Sequence, residues 1–227
     1  MNIYAIGDIH GCLTPLKTIF ENTNFNKDDI FVFLGDYVDR GNNSKGVIDF
    51  LIELRKNKTC YFLKGNHEIL MSQARTNNNN LIKWLYYGGS QTLDSYNIGD
   101  VPDWINLISD EHWKFIENGL PYKELNGKIF VHSGLKPSVD LDKQTDEDLY
   151  WNIVAVPQKY SDNKIVICGH NSQPNGEIAN FGHTVYIDTF AHGGQWLTFL
   201  NVETGDVIKA NNLGEIKKEK ITIADNI

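Results

Sequence analysis

The sequence is short of several features that define other classes of protein. It has three cysteines in 227 residues, Cys12, Cys60 and Cys168, and no CxxC pair, so reduced thiols are expected. No apolar run approaches the roughly 18 residues that cross a membrane. A strand predicted from Asn2 leaves no room for a signal peptide. These features predict a cytoplasmic protein without a membrane partner.

Positive charge and biased segments are also scarce. Acidic residues outnumber basic ones by 29 to 21, and the net charge of −8 argues against a nucleic-acid partner. No internal repeat or Pro-rich linker divides the chain, so residues 1–227 are expected to form one domain. The asparagine run Asn77 to Asn80 is predicted to be a loop, and Lys217 to Ile227 a frayed tail.

What the sequence does contain is a set of short apolar strands that end in polar residues. Ile30 to Leu34 predicts a strand buried on both faces, and Asp36, Asp39 and Arg40 follow it before a turn at Gly41. Four other predicted strands end similarly, beside glycine: at Asp8 and His10, at Asn66 and His67, at His132, and at His170. Open α/β sheets hold ligands at the carboxyl ends of their strands, so one shared site is expected. The alternative is five separately satisfied core polar groups.

Helices alternate with the early strands. Three are predicted: from Thr14 as N-cap to about Asn22, from Ser44 as N-cap to Lys56, and from about Glu68 to Arg75. This βαβαβ order implies parallel strands with right-handed crossovers. Residues 81–118 are rich in Trp and Leu and predict a helical insertion or cap, with helix starts near Asp103 and Ser109. Its aromatic residues are interpreted as packing.

The second half has a different periodicity. The strands Tyr122 to Leu125 and Lys128 to Val131 flank Asn126-Gly127, a pair typical of a type I′ hairpin turn. Strands at 185–188, 195–202 and 207–210 predict a more antiparallel second sheet. The expected fold is α/β: a four-layer αββα sandwich of two mixed sheets flanked by helices.

The residues at the strand ends are typical metal ligands. Two carboxylates, three imidazoles and one amide oxygen make up the set: Asp8, Asp36, His10, His132, His170 and Asn66. A mixed nitrogen and oxygen set favours Mn, Fe or Zn over Ca or Mg. Six ligands suit two ions that share a carboxylate, and Asp36 is the expected bridge because its strand should lie between those of Asp8 and Asn66. Two such ions can activate a shared water and clamp a phosphoryl group.

These blocks resemble those of a known family. Five stretches carry the resemblance: GDIHG at 7–11, GDYVDRG at 35–41, GNHE at 65–68, the His132 and His170 blocks, and the closing strands around Ile187-Asp188-Thr189. They resemble the phosphoprotein phosphatase family of the calcineurin-like metallophosphoesterases, over residues 3 to about 205. In length the chain is most similar to small bacterial and phage serine/threonine protein phosphatases and to symmetrical diadenosine tetraphosphate hydrolases.

The resemblance implies a role for each residue of the site. One ion would be held by Asp8, His10 and Asp36, and the other by Asp36, Asn66, His132 and His170, with Mn²⁺ expected first and Fe or Zn as alternatives. Arg40 would bind the substrate phosphate together with Asn66. His67 would be the general acid and Asp39 its partner. A nearby carboxylate favours the imidazolium form, and a guanidinium matches phosphate oxygens bidentately.

The chain departs from the family at one position. The family brings a second arginine to the phosphate, whereas the corresponding stretch here reads Leu149-Tyr150-Trp151-Asn152. Lys136 and His192 are the candidate replacements. His112 and His183 are interpreted as surface or structural histidines.

The predicted function is hydrolysis of phosphate monoesters by direct in-line attack of a metal-bridging hydroxide. No covalent phosphoenzyme is expected, because no Cys or Ser nucleophile lies among the ligands. A protein phosphoserine or phosphothreonine is the first substrate choice, and a dinucleoside polyphosphate is the alternative. A third interpretation is a catalytically weak metal-binding regulatory module, which the missing arginine favours and the intact His67 and Asp39 oppose. A phosphorylated protein or small molecule is the expected partner, and a monomer is compatible with the sequence.

Overall fold

Two mixed β-sheets form the centre of the fold. The computed structural model describes residues 1–99 and 102–223. Its strands are β1 (Ile3–Ile6), β2 (Ile30–Phe33), β3 (Thr59–Phe62), β4 (Tyr122–Leu125), β5 (Lys128–Val131), β6 (Ile165–Cys168), β7 (Ala179–Asn180), β8 (Thr184–Tyr186), β9 (Leu197–Asn201), β10 (Asp206–Ala210) and β11 (Ile216–Lys220). The first sheet has the order β11-β10-β9-β1-β2-β3, and the second has the order β4-β5-β6-β8-β7.

The helices follow the early strands and fill the middle of the chain. They are α1 (Leu13–Asn22), α2 (Ser44–Leu54), α3 (Asn66–Ala74), α4 (Asn78–Trp84), α5 (Ser90–Ser95) and α6 (Asp110–Glu117). The chain kinks within Leu85–Gly89, where Gly88 has a φ of 110°. A wider π-helical turn occurs at Glu147–Trp151, and 3₁₀ turns occur at Trp104–Leu107, Leu141–Lys143 and Ala191–Gly193. Among the residues that the structure describes, no helix has both the length and the apolar character that a membrane crossing requires.

Alternate residues of β2 face two separate cores. Phe31 and Phe33 pack among the helices on the outer face of the first sheet. Val32 and Leu34 pack between the sheets, against residues of the second sheet such as Ile167. Both faces of β2 are therefore buried, which explains its continuous apolar run. The layers agree with the predicted arrangement of two sheets with helices outside.

The helix boundaries differ slightly from those predicted. Helix α1 begins at Leu13 after Cys12, so Thr14 lies inside the helix and is not its N-cap. The N-cap of α2 is Asn43 and not the predicted Ser44, because the side chain of Asn43 accepts the N–H of Gly46 and Ser44 is the first helical residue. Helix α2 ends at Leu54 rather than Lys56, and α3 begins two residues before the predicted start.

Two segments that were predicted to be irregular are ordered elements. Asn77 is the N-cap of α4, and its side-chain oxygen accepts the N–H of Asn80 at 3.0 Å, so the asparagine run opens a helix. Asparagine is among the strongest N-cap residues, which is the physical reason for the error. Strand β11 (Ile216–Lys220) occupies part of the predicted tail and pairs with β10. The last four residues of that tail lie outside the described residues.

The second sheet is less antiparallel than predicted. Its central strands β5, β6 and β8 run parallel, and only the flanking β4 and β7 pair antiparallel. The antiparallel strands β9, β10 and β11 instead extend the first sheet from β1. The hairpin was predicted correctly: Asn126 and Gly127 both have positive φ, at 47° and 75°, as a type I′ turn requires.

Candidate metal centre

Parallel strand ends bring the predicted site residues together. β1, β2 and β3 are parallel neighbours, so the loops that carry Asp8, Asp36 and Asn66 leave the first sheet side by side. In the second sheet β5 and β6 are parallel neighbours, and their ends carry His132 and His170. The packing of the two sheets brings both sets to one place. Close approach requires glycine at two positions there, because a Cβ on Gly65 or Gly169 would overlap a neighbouring carboxylate.

The loops of the site turn sharply as soon as each strand ends. Nine described residues other than glycine have a positive φ, and five of these belong to the site: His10, Asp36, Asp39, Arg40 and His170. Such backbone is costly for residues with a Cβ and persists only where surrounding contacts hold it. The contacts that hold the Asp36 loop are therefore part of the site.

Glu68 holds the turn at Asp36. Its buried carboxylate accepts the backbone N–H groups of Gly65, Asp36 and Tyr37 at 2.9, 2.9 and 2.8 Å. Burial, and then the charge of Asp36, raise the pKa of Glu68 to about 7. Sequence reasoning gave Glu68 no role. An acidic residue three positions after a helix N-cap is the signal that could have revealed it.

Four donors converge on the side of the site nearer the second sheet. Asn66 Oδ1 lies 3.0 Å from His132 Nε2 and 3.1 Å from His170 Nδ1, and Asp36 Oδ1 lies 3.5 Å from His132 Nε2. His132 Nδ1 lies 2.8 Å from the carbonyl oxygen of Leu34 and donates its proton there. That hydrogen bond fixes the tautomer of the His132 ring, so the lone pair of Nε2 points toward the other candidate metal-ligand atoms.

The opposite side of the site is built around His10. Its Nδ1 donates to the carbonyl oxygen of Val38 at 2.9 Å, which again leaves the Nε2 lone pair facing the centre. Asp36 Oδ2 lies 3.4 Å from His10 Nε2. Arg40 Nη1 donates to the same nitrogen at 3.0 Å, so the guanidinium reaches this side of the centre.

Buried carboxylates crowd the same space. Asp8 accepts the backbone N–H of His170, and its pKa is raised well above the usual range by burial and then by the charges of Asp188 and Asp36. Burial raises the pKa of Asp188 to about 6. For Asp36 burial acts upward, but the field of His132 and the neighbouring histidines outweighs it and lowers the pKa. Crowded buried carboxylates with inward imidazole lone pairs fit bound cations.

Two groups of donor atoms are close enough to hold metal ions, and Asp36 belongs to both. One comprises His10, Asp36 and His67, and the other comprises Asp36, His132 and His170, with ligand atoms within 4.8 Å of one another in each group. The arrangement agrees with a shared carboxylate at Asp36. Asp8, a predicted ligand of the first ion, belongs to neither group, whereas His67, which was predicted to be the general acid, belongs to the first.

His67 and Asp39 form a buried hydrogen-bonded pair. His67 Nδ1 lies 2.7 Å from Asp39 Oδ2, while its Nε2 is buried without a hydrogen-bond partner in the described residues. Burial acts to lower the pKa of His67, but the charges of Asp36 and Asp39 outweigh it and raise the pKa. Asp39 also accepts the indole N–H of Trp84 at 3.0 Å and the hydroxyl of Thr92 at 2.7 Å. The helices after α3 thus orient the pair.

Several residues at the site were missed by sequence reasoning. Trp84 was interpreted only as packing, and Thr92 carries no motif. Asp188 follows strand β8 and Ile187. The rule that found the other site residues, a polar residue after an apolar strand, could have found it. Burial raises the pKa of Cys12 to about 11, so this neighbour is not a thiolate at neutral pH.

The two candidate replacements for a second arginine lie in different places. Lys136 lines a cavity of about 360 Å³ with Val166 and Tyr186, over the outer face of the second sheet. His192 packs its ring edge-on against His10, with ring centroids 4.8 Å apart. Only His192 therefore touches a candidate ligand.

The remaining histidines are structural, as predicted. His112 Nδ1 accepts the hydroxyl of Tyr96 at 2.7 Å, and Nε2 lies 3.0 Å from Asp49 Oδ1. His183 directly precedes β8, and its Nδ1 lies 3.0 Å from the hydroxyl oxygen of Thr184. Neither touches the metal centre.

The comparison with known families agrees with this geometry. The sequence model of the calcineurin-like phosphoesterase family matches residues 1–208. This chain belongs to the calcineurin-like phosphoesterase family. The family predicted from the glycine-rich blocks is thereby confirmed, together with the α/β fold of two mixed sheets flanked by helices.

Individual relatives extend the comparison. A symmetrical bis(5′-nucleosyl)-tetraphosphatase of Pseudomonas putida (strain W619) is 31% identical over 184 residues, which is 80% of this chain and 59% of that protein. This chain therefore spans less than two thirds of that relative. A solved structure of a candidate diadenosine tetraphosphatase has a TM-score of 0.63 at 18% identity, over 96% of this chain and 93% of the other. A cold-active protein-tyrosine phosphatase of Shewanella sp. gives 0.67 at 16% identity, over 96% and 80%. At these identities the two structures establish likeness of fold.

Proposed function

We propose that this member of the calcineurin-like phosphoesterase family is a metal-dependent phosphoesterase that holds two divalent ions. The observation that carries the proposal is the position of the Asp36 carboxylate. Oδ2 lies 3.4 Å from His10 Nε2 on one side, and Oδ1 lies 3.5 Å from His132 Nε2 on the other. One buried carboxylate thus presents an oxygen to each donor group, an arrangement that suits a bridging ligand.

The donors divide between the two ions. Asp8, His10 and Asp36 would hold one ion. Asp36 would hold the other ion together with Asn66, His132 and His170, and both of these histidines have a ring nitrogen close to the Asn66 oxygen. Mixed imidazole and oxygen donors suit Mn²⁺, with Fe and Zn as alternatives. Two such ions lower the pKa of a water molecule and neutralise charge on phosphoryl oxygens.

Arg40 would bind the oxygens of the transferred phosphate. Its side chain is exposed, and its guanidinium reaches the His10 side of the centre. A planar guanidinium offers two parallel N–H donors to a phosphate, so it also fixes the orientation of the group. The side-chain amide of Asn66 would assist from the other side of Asp36.

His67 would protonate the departing oxygen. Its Nδ1 is held by Asp39, which leaves Nε2 as the nitrogen that can pass a proton to the substrate. The Asp39 carboxylate, 2.7 Å from Nδ1, favours the imidazolium form and so supports a proton on the ring. Attack and departure would then occur in one in-line step without a covalent intermediate.

A dinucleoside polyphosphate is the substrate class that we propose first. The relative from Pseudomonas putida is by name a tetraphosphatase of this type. This choice reverses the order of the two substrates expected from the sequence motifs. Cleavage would break one phosphoanhydride bond and release two nucleotides.

Phosphoserine and phosphothreonine proteins remain the second candidate because of the His67 pair. A serine alkoxide is a very poor leaving group and needs a proton, whereas a nucleoside diphosphate leaves with less help. A buried imidazole held by a carboxylate, with His67 Nδ1 2.7 Å from Asp39 Oδ2, is the feature that a poor leaving group requires.

The test is a substrate panel with metal-depleted protein to which Mn²⁺, Zn²⁺ or Fe²⁺ is returned. Rates would be measured on a dinucleoside tetraphosphate, a phosphoserine peptide and p-nitrophenyl phosphate, with metal content determined in the same sample. We expect metal-dependent turnover with the highest kcat/KM on the tetraphosphate. A higher value on the peptide would select the second candidate. Two bound ions without turnover would indicate a regulatory metal-binding module.

A further inference from the structure

His192 is a histidine of the metal centre to which the proposed mechanism assigns no task. Its ring lies edge-on to His10, and Phe190 contacts it with ring centroids 4.6 Å apart. The Nδ1 atom is buried and has no hydrogen-bond partner within residues 1–99 and 102–223. Buried polar groups are normally paired, so an unpaired imidazole nitrogen here suggests that its partner is a ligand.

His192 and Arg40 line the same cavity. The cavity measures about 300 Å³, and its other described lining residues are Cys12, Thr14, Gly41, Asn42 and Asn212. None of these described residues is acidic. The side-chain amide of Asn42 and the hydroxyl of Thr14 supply neutral hydrogen-bond donors beside the guanidinium. The cavity therefore suits an anion such as the phosphate group of the proposed substrate.

No other arginine competes for this task. Arg55 lies 3.6 Å from Glu111, and Arg75 pairs with Glu117 while its guanidinium covers the Trp113 ring at 4.3 Å. Both are occupied on the helical side of the molecule. Arg40 alone, of the three arginines in the chain, reaches the centre.

We propose that His192 donates a hydrogen bond to the phosphate group that is transferred, across the cavity that it shares with Arg40. His192 would thus be a substrate-binding residue, and Lys136 would not. The inference rests on the proposed function for the identity of the reaction. It also predicts a feature of binding, because inorganic phosphate should occupy the same place as the transferred group.

The test compares His192→Ala and His192→Asn with two controls, His183→Ala and Lys136→Ala. Dissociation constants for inorganic phosphate and for pyrophosphate would be measured by calorimetry on the Mn²⁺-loaded protein. Phosphate binding should weaken about 10- to 100-fold in His192→Ala, the range for a hydrogen bond to a charged group. His192→Asn should recover part of it, because an amide can donate. Both controls should bind phosphate normally, and metal content should not change in any variant.

Kinetic measurements separate binding from support of the metal ions. KM should rise in His192→Ala by a larger factor than kcat falls. Loss of an ion would overturn the inference by making His192 a support of the metal site. So would weaker binding of pyrophosphate with unchanged binding of phosphate, or a larger effect in Lys136→Ala. Phosphate binding needs no turnover, so a wild-type protein that binds phosphate through His192 yet hydrolyses no substrate would contradict the proposed function alone.

Discussion

The donors on the two sides of Asp36 are assembled in different ways. On the His10 side, Asp8 and His10 belong to one short loop after β1, and neighbouring β2 supplies Asp36. On the other side, His132 and His170 come from the second sheet and meet Asn66 from the first. The first group depends on one local turn. The second depends on how two sheets pack, so it is more exposed to changes in distant parts of the fold.

The largest effect is expected at Asp36, which belongs to both sides. Asp36→Asn should release both ions and lower kcat/KM by more than about 1,000-fold, because the charge stabilisation supplied by the ions is lost. Metal content by mass spectrometry and the rate on p-nitrophenyl phosphate are the measurements. Asp162→Asn, which alters an exposed acid, is the control. Two tightly bound ions in Asp36→Asn would show that the carboxylate is not a bridge.

The next largest effect should come from variants that remove a ligand from one side of Asp36 only. His132→Ala and His10→Ala should each leave about one ion per chain, because each removes a donor from one group only. Either loss should lower the rate by about 100- to 1,000-fold, since one ion still polarises the phosphate. Metal content and metal affinity should be compared in parallel. The division at Asp36 would be wrong if either variant lost both ions.

The candidate ligands could be predicted from the sequence for a simple physical reason. Each of them lies within four residues of the end of an apolar strand, and parallel strands place their ends at one edge. Trp84 and Thr92 could not be predicted in this way, because they reach Asp39 from 45 and 53 residues along the chain. Such contacts are set by the packing of the helices on the sheet. The apolar pattern of β9 predicted a strand but not the sheet that it joins.

A smaller, selective effect is expected at His67, which tests whether the His10 side has a further ligand. Its Nε2 lies 4.0 Å from Asp36 Oδ2, close enough for either role. As a general acid, His67→Asn should slow hydrolysis of phosphoserine peptide by about 100- to 10,000-fold and that of p-nitrophenyl phosphate much less. Both ions should remain bound. Equal losses on the two substrates, or loss of an ion, would make His67 a ligand.

Glu68→Gln should lower the affinity for both metal ions, one on each side of Asp36. An amide cannot accept from Gly65, Asp36 and Tyr37 as the carboxylate does, so the turn that aims Asp36 would loosen. Residues that orient ligands typically contribute about 10- to 100-fold to metal affinity. Titration with Mn²⁺ should give two dissociation constants raised by similar factors. An effect confined to one ion would mean that Glu68 supports one side only.

The smallest effect is expected at His112, which belongs to neither group of candidate metal ligands. It links α2 and α6 through hydrogen bonds to Tyr96 and Asp49. Removing them in His112→Gln should lower the free energy of unfolding by about 1–2 kcal/mol at pH 8. Metal content should be unchanged, which distinguishes this variant from all of those above.

The pH dependence of that loss follows from the pKa of His112. Burial, the largest cause, lowers this pKa below the ordinary value of 6.5, so the folded state binds fewer protons than the unfolded state. The stabilisation is therefore fully present above pH 6.5 and is lost as the pH falls toward the folded-state pKa. Urea unfolding of His112→Gln and wild type should differ most at pH 8, and the difference should shrink as the pH falls below 6.5, where the unfolded chain binds a proton that the buried ring resists. Because both proteins share every other titrating group, only His112 can change the difference between them, and a difference that grows on acidification would contradict the neutral ring.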